Sequence, residues 1–438
     1  MKFKKFGKAL LMSALSAGVV LSITSCVQSY TVGYLYVTGT VTAGTAGSGI
    51  ISGFKIDHNT GQLSTINGLP ISSGGANPVR AVLLTGSRFL YVLNRGVTAS
   101  GGSDCTTADP CQNANITEFA VGGNGILTPQ ETFYPQGVNP FRLIADATGN
   151  YILSLDHDSP SSAACLAALG AAGPCGDITI FQVNQTTGRL QLVVNAQVSS
   201  AGGAALTYFP VPANPIDFAL ASGYVLTLSG TPATGNSVFP YAYNSGSGQM
   251  TISQNGSQTL LGVNHATAIV LGGGSPYILD DEAPSPNPTG ASSQILPFTV
   301  GTNGALQAKT GGVVADDPTL SNPIFLMVEN KGKFLYVANQ GNNTNTTNAQ
   351  SGIAGYVIDP TTQQLSFIAG EPFGSGAGPQ CLVEDPSNQF VYTANFNDST
   401  VTGRIVDPNS GVLNDLRVAH SYAVTGPPTW CLVDGRTD

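Results

Sequence analysis

PPTWCLVDG, at residues 427–435, is the stretch that decides the fold. It resembles GPQCLVEDP at 378–386, where the same pattern opens a longer unit that continues into SNQFVYTANFND. In the C-terminal stretch the pattern begins, but the rest of the unit does not follow. Because internal repeats determine the architecture of a chain, the missing part of this last unit must be sought elsewhere in the sequence.

The complete unit contains four strand patterns, as residues 322–373 illustrate. Strand a (PIFLMVE) is apolar and begins at a proline, and a turn leads to strand b (KFLYVAN). Strand c (GIAGYVID) then connects through a hairpin to strand d (QLSFIAG). The same order starts again at residues 77, 139, 214, 264 and 378. Most c–d connections carry tripeptides such as GNG, TTG and NSG, in which Gly or Asn supplies the positive φ of a tight hairpin.

The N-terminal unit lacks a strand a. It begins with GYLYVTGT at 33–40, which has the pattern of strand b, and continues with strands c and d at 49–68. Six complete units and one unit shared between the two ends make seven. We therefore predict an all-β fold, a seven-bladed β-propeller of four-stranded blades, in which a C-terminal strand joins the N-terminal blade and closes the ring. Residues 27–438 would then form a single domain.

Composition agrees with this architecture and excludes one class of partner. The chain has 54 Gly, 27 Pro and only 9% charged residues, which favours strands joined by turns over long helices. Its net charge is −9, and the loss of the four lysines before residue 9 would make it −13. No run of Lys or Arg remains after them, so we expect no nucleic-acid binding, which needs a cationic surface.

The first 26 residues have the pattern of a secretory signal. Four lysines precede an apolar segment, and the small residues of ITSC lead to Cys26. This resembles a bacterial lipobox, which implies cleavage before Cys26 and lipid chains on the processed terminus. Val27 follows the cysteine, and in lipoproteins of bacteria with two membranes this favours the outer membrane. We therefore predict an exported, lipid-anchored protein of the cell envelope; an ordinary signal peptide with an incidental cysteine is the alternative.

Four other cysteines form two local pairs. Cys105 and Cys111 share one loop, and Cys165 and Cys175 share another, so outside the cytoplasm each pair is expected to form a disulfide. Zinc binding is the alternative, but no histidine accompanies either pair and the spacing is not that of a zinc site.

The last two cysteines lie in strand patterns. Cys381 and Cys431 both precede Leu-Val, but counted from the proline that begins strand a they are one residue out of register. Because alternate residues of a strand point to opposite faces, we expect two buried free cysteines rather than a bond.

The repeats resemble the lactonase-like, seven-bladed propeller family, which includes 6-phosphogluconolactonase and muconate-lactonising enzymes. The resemblance rests on FLYVAN, FLYVLN and FVYTAN in strand b and on the Gly-x-Leu hairpins, and it covers nearly all of the chain after residue 26. It implies a lactone hydrolase, for which we expect no cofactor and no metal. These motifs specify the blade well and the chemistry poorly, since a fold does not fix a function.

Two rings of positions are predicted to face a pocket on one rim of the propeller. Strand a runs beside the channel, so the d–a and b–c connections share a face, and the long b–c insertions at 96–114, 157–176, 282–292 and 340–351 lie there. The first ring, two residues into strand a, is Arg80, Arg142, Asp217, Thr267, Phe325, Cys381 and Trp430. The second ring, at the end of strand b, is Gly39, Asn94, Asp156, Ser229, Asp281, Asn339 and Asn395.

These rings supply the candidate site residues. Arg80 and Arg142 could clamp a carboxylate or phosphate, and Asp156 could act as a base if burial raised its pKa. The catalytic candidates are Arg80, Arg142, Asp156 and His157, and the binding candidates are Asn94, Asp217, Asp281, Asn339, Asn395 and Trp430. The alternative is structural, with arginines in ion pairs with Asp146 or Asp217 and with Asn and Asp side chains that close turns.

Two functions stay open from the sequence. The resemblance favours an exported lactonase with a rim-face pocket, whereas the lack of histidine near the start of strand a, where related lactonases often carry one, favours a non-catalytic propeller that binds a protein or glycan. Export makes a cytosolic sugar phosphate an improbable substrate. The expected partners are a membrane, through the lipid on Cys26, and a small lactone or a protein or glycan ligand, bound by a monomer.

Overall fold

The apolar segment that begins each repeat unit forms the innermost strand of a blade. The structure, a computed structural model, describes residues 30–41, 48–84, 88–170, 173–200, 202–231, 234–253, 256–260, 262–263, 265–281, 293–341 and 350–435. Cys26 and the predicted signal segment lie outside these residues. Within them the sheets form seven blades, each with strands a to d in antiparallel order from the channel outward, which confirms the predicted seven-bladed propeller.

The strands are numbered β1 to β35 in chain order. Blade 7 combines β1 (Thr31–Thr40), β2 (Ser48–Asp57), β3 (Leu63–Thr65) and β4 (Ile71–Ala76) with β35 (Pro428–Asp434). Blade 1 contains β5 (Pro78–Leu83), β6 (Phe89–Asn94), β7 (Asn115–Val121) and β8 (Leu127–Phe133). Blade 2 contains β9 (Val138–Ala145), β10 (Tyr151–Asp158), β11 (Gly176–Val183), β12 (Leu190–Leu192) and β15 (Tyr208–Val211), with the separate pair β13 (Asn195–Ser199) and β14 (Ala205–Leu206). Helix α1 (Ser162–Leu169) lies in its b–c connection.

The remaining blades follow the same plan. Blade 3 contains β16 (Pro215–Ala221), β17 (Tyr224–Thr231), β18 (Gly235–Asn244), β19 (Gln249–Ile252) and β20 (Gln258–Thr259). Blade 4 contains β21 (Ala266–Gly272), β22 (Ser275–Asp280), β23 (Gln294–Val300), β24 (Leu306–Ala308) and β25 (Val314–Ala315), with a 3-10 turn at Thr302–Gly304. Blade 5 contains β26 (Pro323–Val328), β27 (Phe334–Asn339), β28 (Gly352–Ile358) and β29 (Leu365–Phe367). Blade 6 contains β30 (Pro379–Glu384), β31 (Phe390–Asn395), β32 (Thr400–Val406), β33 (Leu413–Asp415) and β34 (Ser421–Ala423).

Strand β35 closes the ring as the sequence predicts. It pairs antiparallel with β1, so that Leu432 lies opposite Tyr36 and Trp430 lies opposite Thr38. Strand β1 pairs on its other side with β2, and nine of its ten residues are buried. The split unit is therefore a complete blade made from both ends of the described chain. The described residues from Thr31 onward form one compact unit, and none of their helices is long and apolar enough to cross a membrane.

The tyrosine of the strand-b motif explains why FLYV recurs. Tyr91 donates from its hydroxyl to the carbonyl of Gly188 in the c–d hairpin of the next blade, at 2.5 Å. Three other strand-b tyrosines make the same bond, each to the hairpin of the following blade: Tyr36 to Gly125, Tyr336 to Gly411 and Tyr392 to Gly61. In blade 2, where Leu153 takes the motif position, Tyr151 donates instead to Gly246 of the next hairpin. A buried hydroxyl needs such a partner, so the motif fixes both the strand and the contact between neighbouring blades.

The residue before strand a turns the chain into the channel wall. Asn77, Asn139, Asn214 and Asn322 have φ between 51° and 57°, and Gly378 has φ 71° at the same place. Only Gly and, less readily, Asn adopt this left-handed conformation at low cost, and the following proline disfavours the right-handed helical region. The recurrent Asn-Pro pair is therefore a turn signal for the start of strand a in four blades, and Gly-Pro takes its place in blade 6.

The expectation of two free cysteines at 381 and 431 is wrong. The structure joins Cys381 on β30 to Cys431 on β35, with their Cα atoms 5.9 Å apart. Alternation does point the two side chains to opposite faces of their own blades. Neighbouring blades, however, turn opposite faces toward each other, so residues of opposite orientation meet between blades 6 and 7. Cys105–Cys111 and Cys165–Cys175 are also disulfides in the structure.

Glu118 is a buried carboxylate between blades 1 and 2. Its side chain is fully buried, and its two oxygens have no hydrogen-bond partner among the described residues. Burial, with a smaller contribution from Glu131, raises its pKa from 4.5 to about 7. Ionisation of this group in the folded protein therefore opposes folding.

Replacement of this carboxylate by an amide is expected to stabilise the protein above neutral pH. Because the folded pKa of Glu118 is raised, wild-type stability falls as the pH rises from about 4.5 through about 7. The Glu118→Gln variant lacks this loss, so its free energy of unfolding at pH 8 should exceed the wild-type value by about 1–3 kcal/mol. Urea unfolding at pH 5 and pH 8 measures the difference. An equal difference at the two pH values would contradict the buried charge.

Candidate functional site

Side chains of the first ring cross the central channel. The Arg80 guanidinium lies over the Trp430 ring, 4.1 Å from its centroid, and Phe325 meets the same ring edge-on at 5.2 Å. Trp430 Nε1 also donates to the carbonyl of Ala81 at 3.1 Å. The indole is therefore held by blade 1 on one side and by blade 5 across the channel. Stacking and cation–π contact together fix the arginine in a partly desolvated position.

Arg142 and Asp217 form an ion pair beside Arg80 and Trp430 in the channel. Arg142 Nε donates to Asp217 Oδ1 at 3.0 Å, with the two side chains 21% and 12% exposed. Asp217 also accepts from the backbone N–H of Phe218 at 2.9 Å and of Ile269 at 3.2 Å, so three blades meet at one carboxylate. The ion pair with Asp217 proposed as the structural alternative is present. We call Arg80, Arg142, Asp217, Phe325 and Trp430 the septum.

The septum separates two cavities. The rim cavity, about 470 Å³, opens at the b–c face, and the residues that line it include Arg80, Arg95, Arg142, His157, Gln340, Gln380 and Asn397. The far cavity, about 360 Å³, opens at the a–b turns, and the residues that line it include Arg80, Arg142, Leu143, Leu220, Leu271 and Phe325. Both volumes are in the range of small-molecule pockets. The rim cavity is the more polar of the two, the far cavity is mostly apolar, and they share the septum arginines.

Positive charge exceeds negative charge around the rim cavity. Burial, and then the nearby Arg142, lower the pKa of Arg80, which has no ion-pair partner among the described carboxylates. Burial and Arg142 also lower the pKa of Arg95, whose Nη2 donates to the Cys105 carbonyl at 3.2 Å while its buried Nε has no described partner. Clustered guanidinium groups with free donors favour a bound anion.

His157 lines the same cavity beside an oriented carboxylate. Its Nδ1 lies 3.1 Å from Asp158 Oδ1, and its ring packs 6.2 Å from that of Phe141. Asp158 accepts from Thr107 Oγ1 and from Asn139 Nδ2, both at 2.8 Å. The loop closed by the Cys105–Cys111 disulfide therefore helps to hold Asp158 beside the imidazole. The two groups are at ion-pair distance, but the angle at Nδ1 does not make a hydrogen bond.

The second ring does not line either cavity. Asn94 is fully buried within blade 1, where its side chain bonds to Ser73, Asn115 and Thr117. Asn395 makes the same kind of contacts to Thr400 and Thr402, and Asn339 is fully buried at the end of β27. The hydrogen bonds of Asn94 and Asn395 therefore fix the ends of their strands, as in the structural alternative.

Asp156 is also buried away from the channel. It lies opposite Asp177 across β10 and β11 and accepts from Ser154, Thr179 and the backbone of Gly137. Burial raises its pKa to about 6 despite these donors, and burial with the charge of Asp156 raises the pKa of Asp177 well above its usual value. The raised pKa expected for Asp156 is present, but the carboxyl lines neither cavity.

The register of blade 4 differs by one residue from the sequence-based alignment, which places His265 at the position of the strand-a proline and Thr267 in the first ring. Ala266, not His265, takes the place of the strand-a proline, because it lies opposite Asp280. Ala268 therefore occupies the septum position assigned to Thr267, and Asp280 occupies the strand-b position assigned to Asp281. Asp281 instead accepts from Ser293 Oγ at 3.0 Å and from the backbone of Asn322 at 3.3 Å. The small side chain of Ala268 leaves this part of the channel wall without a septum residue.

The residues that sequence analysis missed directly follow strand b. Arg95, Gln340 and Phe396 come one residue after Asn94, Asn339 and Asn395, and they line the rim cavity. His157, which the sequence analysis already names as a catalytic candidate, follows Asp156 in the same way and lines the same cavity. Since successive residues point in opposite directions, the last strand residue points into the blade and the next one reaches the rim. The alternation of side chains along strand b could therefore have predicted these rim residues from the sequence. No cluster of three or more His, Cys, Asp or Glu among the described residues could hold a metal ion.

Comparison with known proteins agrees with this architecture. The family model "Lactonase, 7-bladed beta-propeller" matches residues 288–430, from blade 4 to the closing strand. Over these residues the sequence is similar to the lactonase family, and the described residues form a seven-bladed β-propeller. This confirms the resemblance inferred from the strand-b motifs. No curated protein matches the sequence significantly.

Solved structures share the fold of this chain at low sequence identity. Periplasmic gluconolactonase PpgL from Pseudomonas aeruginosa has a TM-score of 0.65 and 19% identity, with 93% of this chain and 99% of that chain covered. A candidate 6-phosphogluconolactonase from Bacteroides fragilis has a TM-score of 0.64 and 16% identity, with 92% and 98% covered. A second candidate, from Bacteroides uniformis, has a TM-score of 0.62 and 14% identity, with 92% and 99% covered. At these identities the similarity establishes the fold alone.

Proposed function

We propose that the protein hydrolyses a lactone that carries an anionic group, and that the reaction takes place in the rim cavity. The observation that carries this proposal is the convergence of three guanidinium groups, from Arg80, Arg95 and Arg142, with His157 on one cavity. A lactone offers a carbonyl that develops negative charge during hydrolysis, and the product is a carboxylate. Both species are stabilised by clustered, partly desolvated arginines.

His157 acts as the general base in this proposal. It takes a proton from water, and the resulting hydroxide adds to the lactone carbonyl carbon to give a tetrahedral oxyanion. The oxyanion then collapses, the bond between the carbonyl carbon and the ring oxygen breaks, and the imidazolium returns its proton to that oxygen. Asp158 Oδ1, 3.1 Å from Nδ1, stabilises the imidazolium through its negative charge. The product is a hydroxy acid, which releases its carboxyl proton to solvent at neutral pH and leaves as the carboxylate.

Arg80 and Arg142 stabilise the oxyanion, and Arg95 holds the anionic group of the substrate. Arg95 suits this role because it belongs to the rim, next to the Cys105–Cys111 loop, whereas the other two arginines form the septum floor. A buried site with unpaired donors rejects ligands that lack the matching charge. A neutral lactone is therefore expected to be a poorer substrate than a carboxylate-bearing lactone.

The proposed location is the cell envelope. The sequence of residues 1–26 supports export and a lipid anchor on Cys26, and a structurally similar gluconolactonase is named as periplasmic. In that compartment the substrate would be a small extracytoplasmic lactone and the chain would act as a monomer held at a membrane. A propeller that binds an anionic ligand without turnover is the alternative, and the same unpaired arginines would serve it.

A lactone panel assayed on residues 27–438 tests the proposed reaction. A carboxylate-bearing γ-lactone is expected to be hydrolysed faster than glucono-δ-lactone, as measured by proton release in a pH-stat. The His157→Ala variant is expected to lose about 10²–10⁴-fold in kcat, the usual contribution of a general base. The control is His420→Ala, which removes an exposed histidine after the last strand d.

The outcomes separate chemistry from binding. If no lactone is turned over while the hydroxy-acid product still binds by calorimetry, the alternative of a binding propeller replaces the hydrolase. If His157→Ala retains wild-type kcat, the proposed base is wrong. If neither turnover nor binding is detected, the rim cavity is not the functional site.

A further inference from the structure

We propose that the far cavity is a second small-molecule site, which binds a compact monocarboxylate with an aliphatic or aromatic body. The carboxylate would pair with the septum arginines and the carbon body would lie along the apolar wall. This proposal does not depend on lactone hydrolysis, because it concerns the opposite mouth of the channel and requires only binding.

The wall of the far cavity is built for an apolar body. It is lined by strand-a residues of three neighbouring blades, and all of these residues are apolar: Leu143 to Ala145, Phe218 to Leu220 and Ile269 to Leu271. Leu271 is 37% exposed and Ala147 is exposed, so these two residues mark the mouth. A row of strand-a side chains that all remain apolar around an open space is costly to leave in contact with water.

The floor of this cavity carries an excess positive charge. Two guanidinium groups, from Arg80 and Arg142, meet the single carboxylate of Asp217, which already accepts three hydrogen bonds. Arg80 donates only to its neighbour's carbonyl, that of Val79 at 2.8 Å, among the described residues. A partly desolvated cation with free donors at the end of an apolar cavity complements an anionic head on an apolar body.

The volume restricts the size of the ligand. At about 360 Å³ the cavity is near the lower limit of small-molecule pockets, which span about 300–1,000 Å³. The septum side chains close its inner end, since Trp430 is stacked between Arg80 and Phe325. The ligand is therefore a small acid that ends at the septum and does not pass through to the rim cavity.

Trp430 provides a direct readout, because it is the only tryptophan in the chain and lines the far cavity. Residues 27–438 are titrated with octanoate while the Trp430 fluorescence is followed, and 1-octanol serves as the uncharged ligand of the same length. We expect a saturable change with octanoate, with a Kd at least about tenfold lower than that of 1-octanol, which corresponds to one charge-assisted hydrogen bond.

Two variants at the mouth test the location. Leu271→Asp and Ala147→Glu each place a negative charge at the entrance and are expected to weaken octanoate binding at least about tenfold. Ile252→Asp, on the exposed outer strand β19, is the matched control and should bind as the wild type does. The proposal is overturned if octanoate gives no saturable change, if 1-octanol binds equally well, or if both mouth variants keep wild-type affinity with an unchanged Tm.

Discussion

A chain that ends at Gly426 is expected to lose most of its thermal stability. Removal of residues 427–438 deletes β35, which pairs with β1 and places Trp430, Cys431 and Leu432 between blades 6 and 1. Burial of each such side chain contributes about 1.5–3 kcal/mol, against a total stability of about 5–15 kcal/mol. The Tm of residues 27–426 should fall by more than about 15 °C relative to 27–438, or the cooperative transition should disappear.

Loss of this strand also opens the ring. Without β35, strand β1 presents an unpaired edge at the channel, and such edges favour aggregation. Differential scanning fluorimetry and circular dichroism measure the transition, and size-exclusion chromatography reports aggregation. A chain that ends at Gly435 keeps all of β35 and is the length control.

The Cys431→Ser variant distinguishes the contribution of strand pairing by β35 from that of its disulfide bond. It keeps β35 but removes the bond to Cys381, so it should lose only the contribution of one disulfide, about 2–4 kcal/mol. The truncated chain should be less stable than this variant. Equal melting temperatures for the truncated chain and the full chain would show that β35 does not close the ring.

The fold was predictable because the repeat is visible in local patterns. Asn-Pro marks the left-handed turn before strand a, the strand-b tyrosine makes the bond to the next blade, and the split unit requires closure. Each of these features is encoded within a few residues. The sequence therefore predicted strand order and ring closure without any knowledge of long-range contacts.

The pairing of Cys381 with Cys431 could not be obtained from alternation alone. The sequence correctly indicates the face of each strand to which a side chain points, but it does not state which faces of neighbouring blades meet. In a propeller, opposite faces are in contact, so the two cysteines that appear incompatible are partners. This rule applies to any pair of residues on consecutive blades.

The site was predicted only in part, because the direction of each side chain at the channel had to be inferred from strand register. Arg80, Arg142, Asp217 and Trp430 lie together at the septum because strand a reaches the channel in every blade. The second ring was placed on the last residue of strand b, which points inward, so Arg95 was missed. In blade 4 neither His265 nor Ala266 is a proline. The sequence therefore lacks the strand-a proline from which the register of the other blades can be counted.

Loss of both septum arginines is expected to abolish most of the proposed hydrolysis. In Arg80→Met with Arg142→Met, an unbranched aliphatic side chain is retained, while the guanidinium groups that lie over Trp430 and Phe141 are removed with their charges. Each charge-assisted hydrogen bond to the oxyanion contributes about 1.5–3 kcal/mol, so kcat/KM for a carboxylate-bearing lactone should fall by about 10²–10⁴-fold. Initial-rate kinetics on residues 27–438 measure this loss.

Folding of the double variant is expected to survive. Asp217 keeps its backbone donors, the N–H groups of Phe218 and Ile269, after Arg142 is replaced. The Tm of the variant provides the check. Arg189→Met is the matched control, because the Arg189 side chain is 64% exposed and pairs with Glu131 at the outer edge of blade 2, away from both cavities.

Arg142→Lys distinguishes charge from geometry at the septum. Lysine keeps the positive charge but lacks the fixed fork of the guanidinium, so kcat should fall by more than KM rises if Arg142 acts on the oxyanion. A purely structural role would instead lower the Tm and leave the kinetic constants of the folded fraction unchanged. If the double variant keeps kcat/KM within about threefold of the wild type, a barrier change of less than about 1 kcal/mol, the septum arginines do not take part in the reaction.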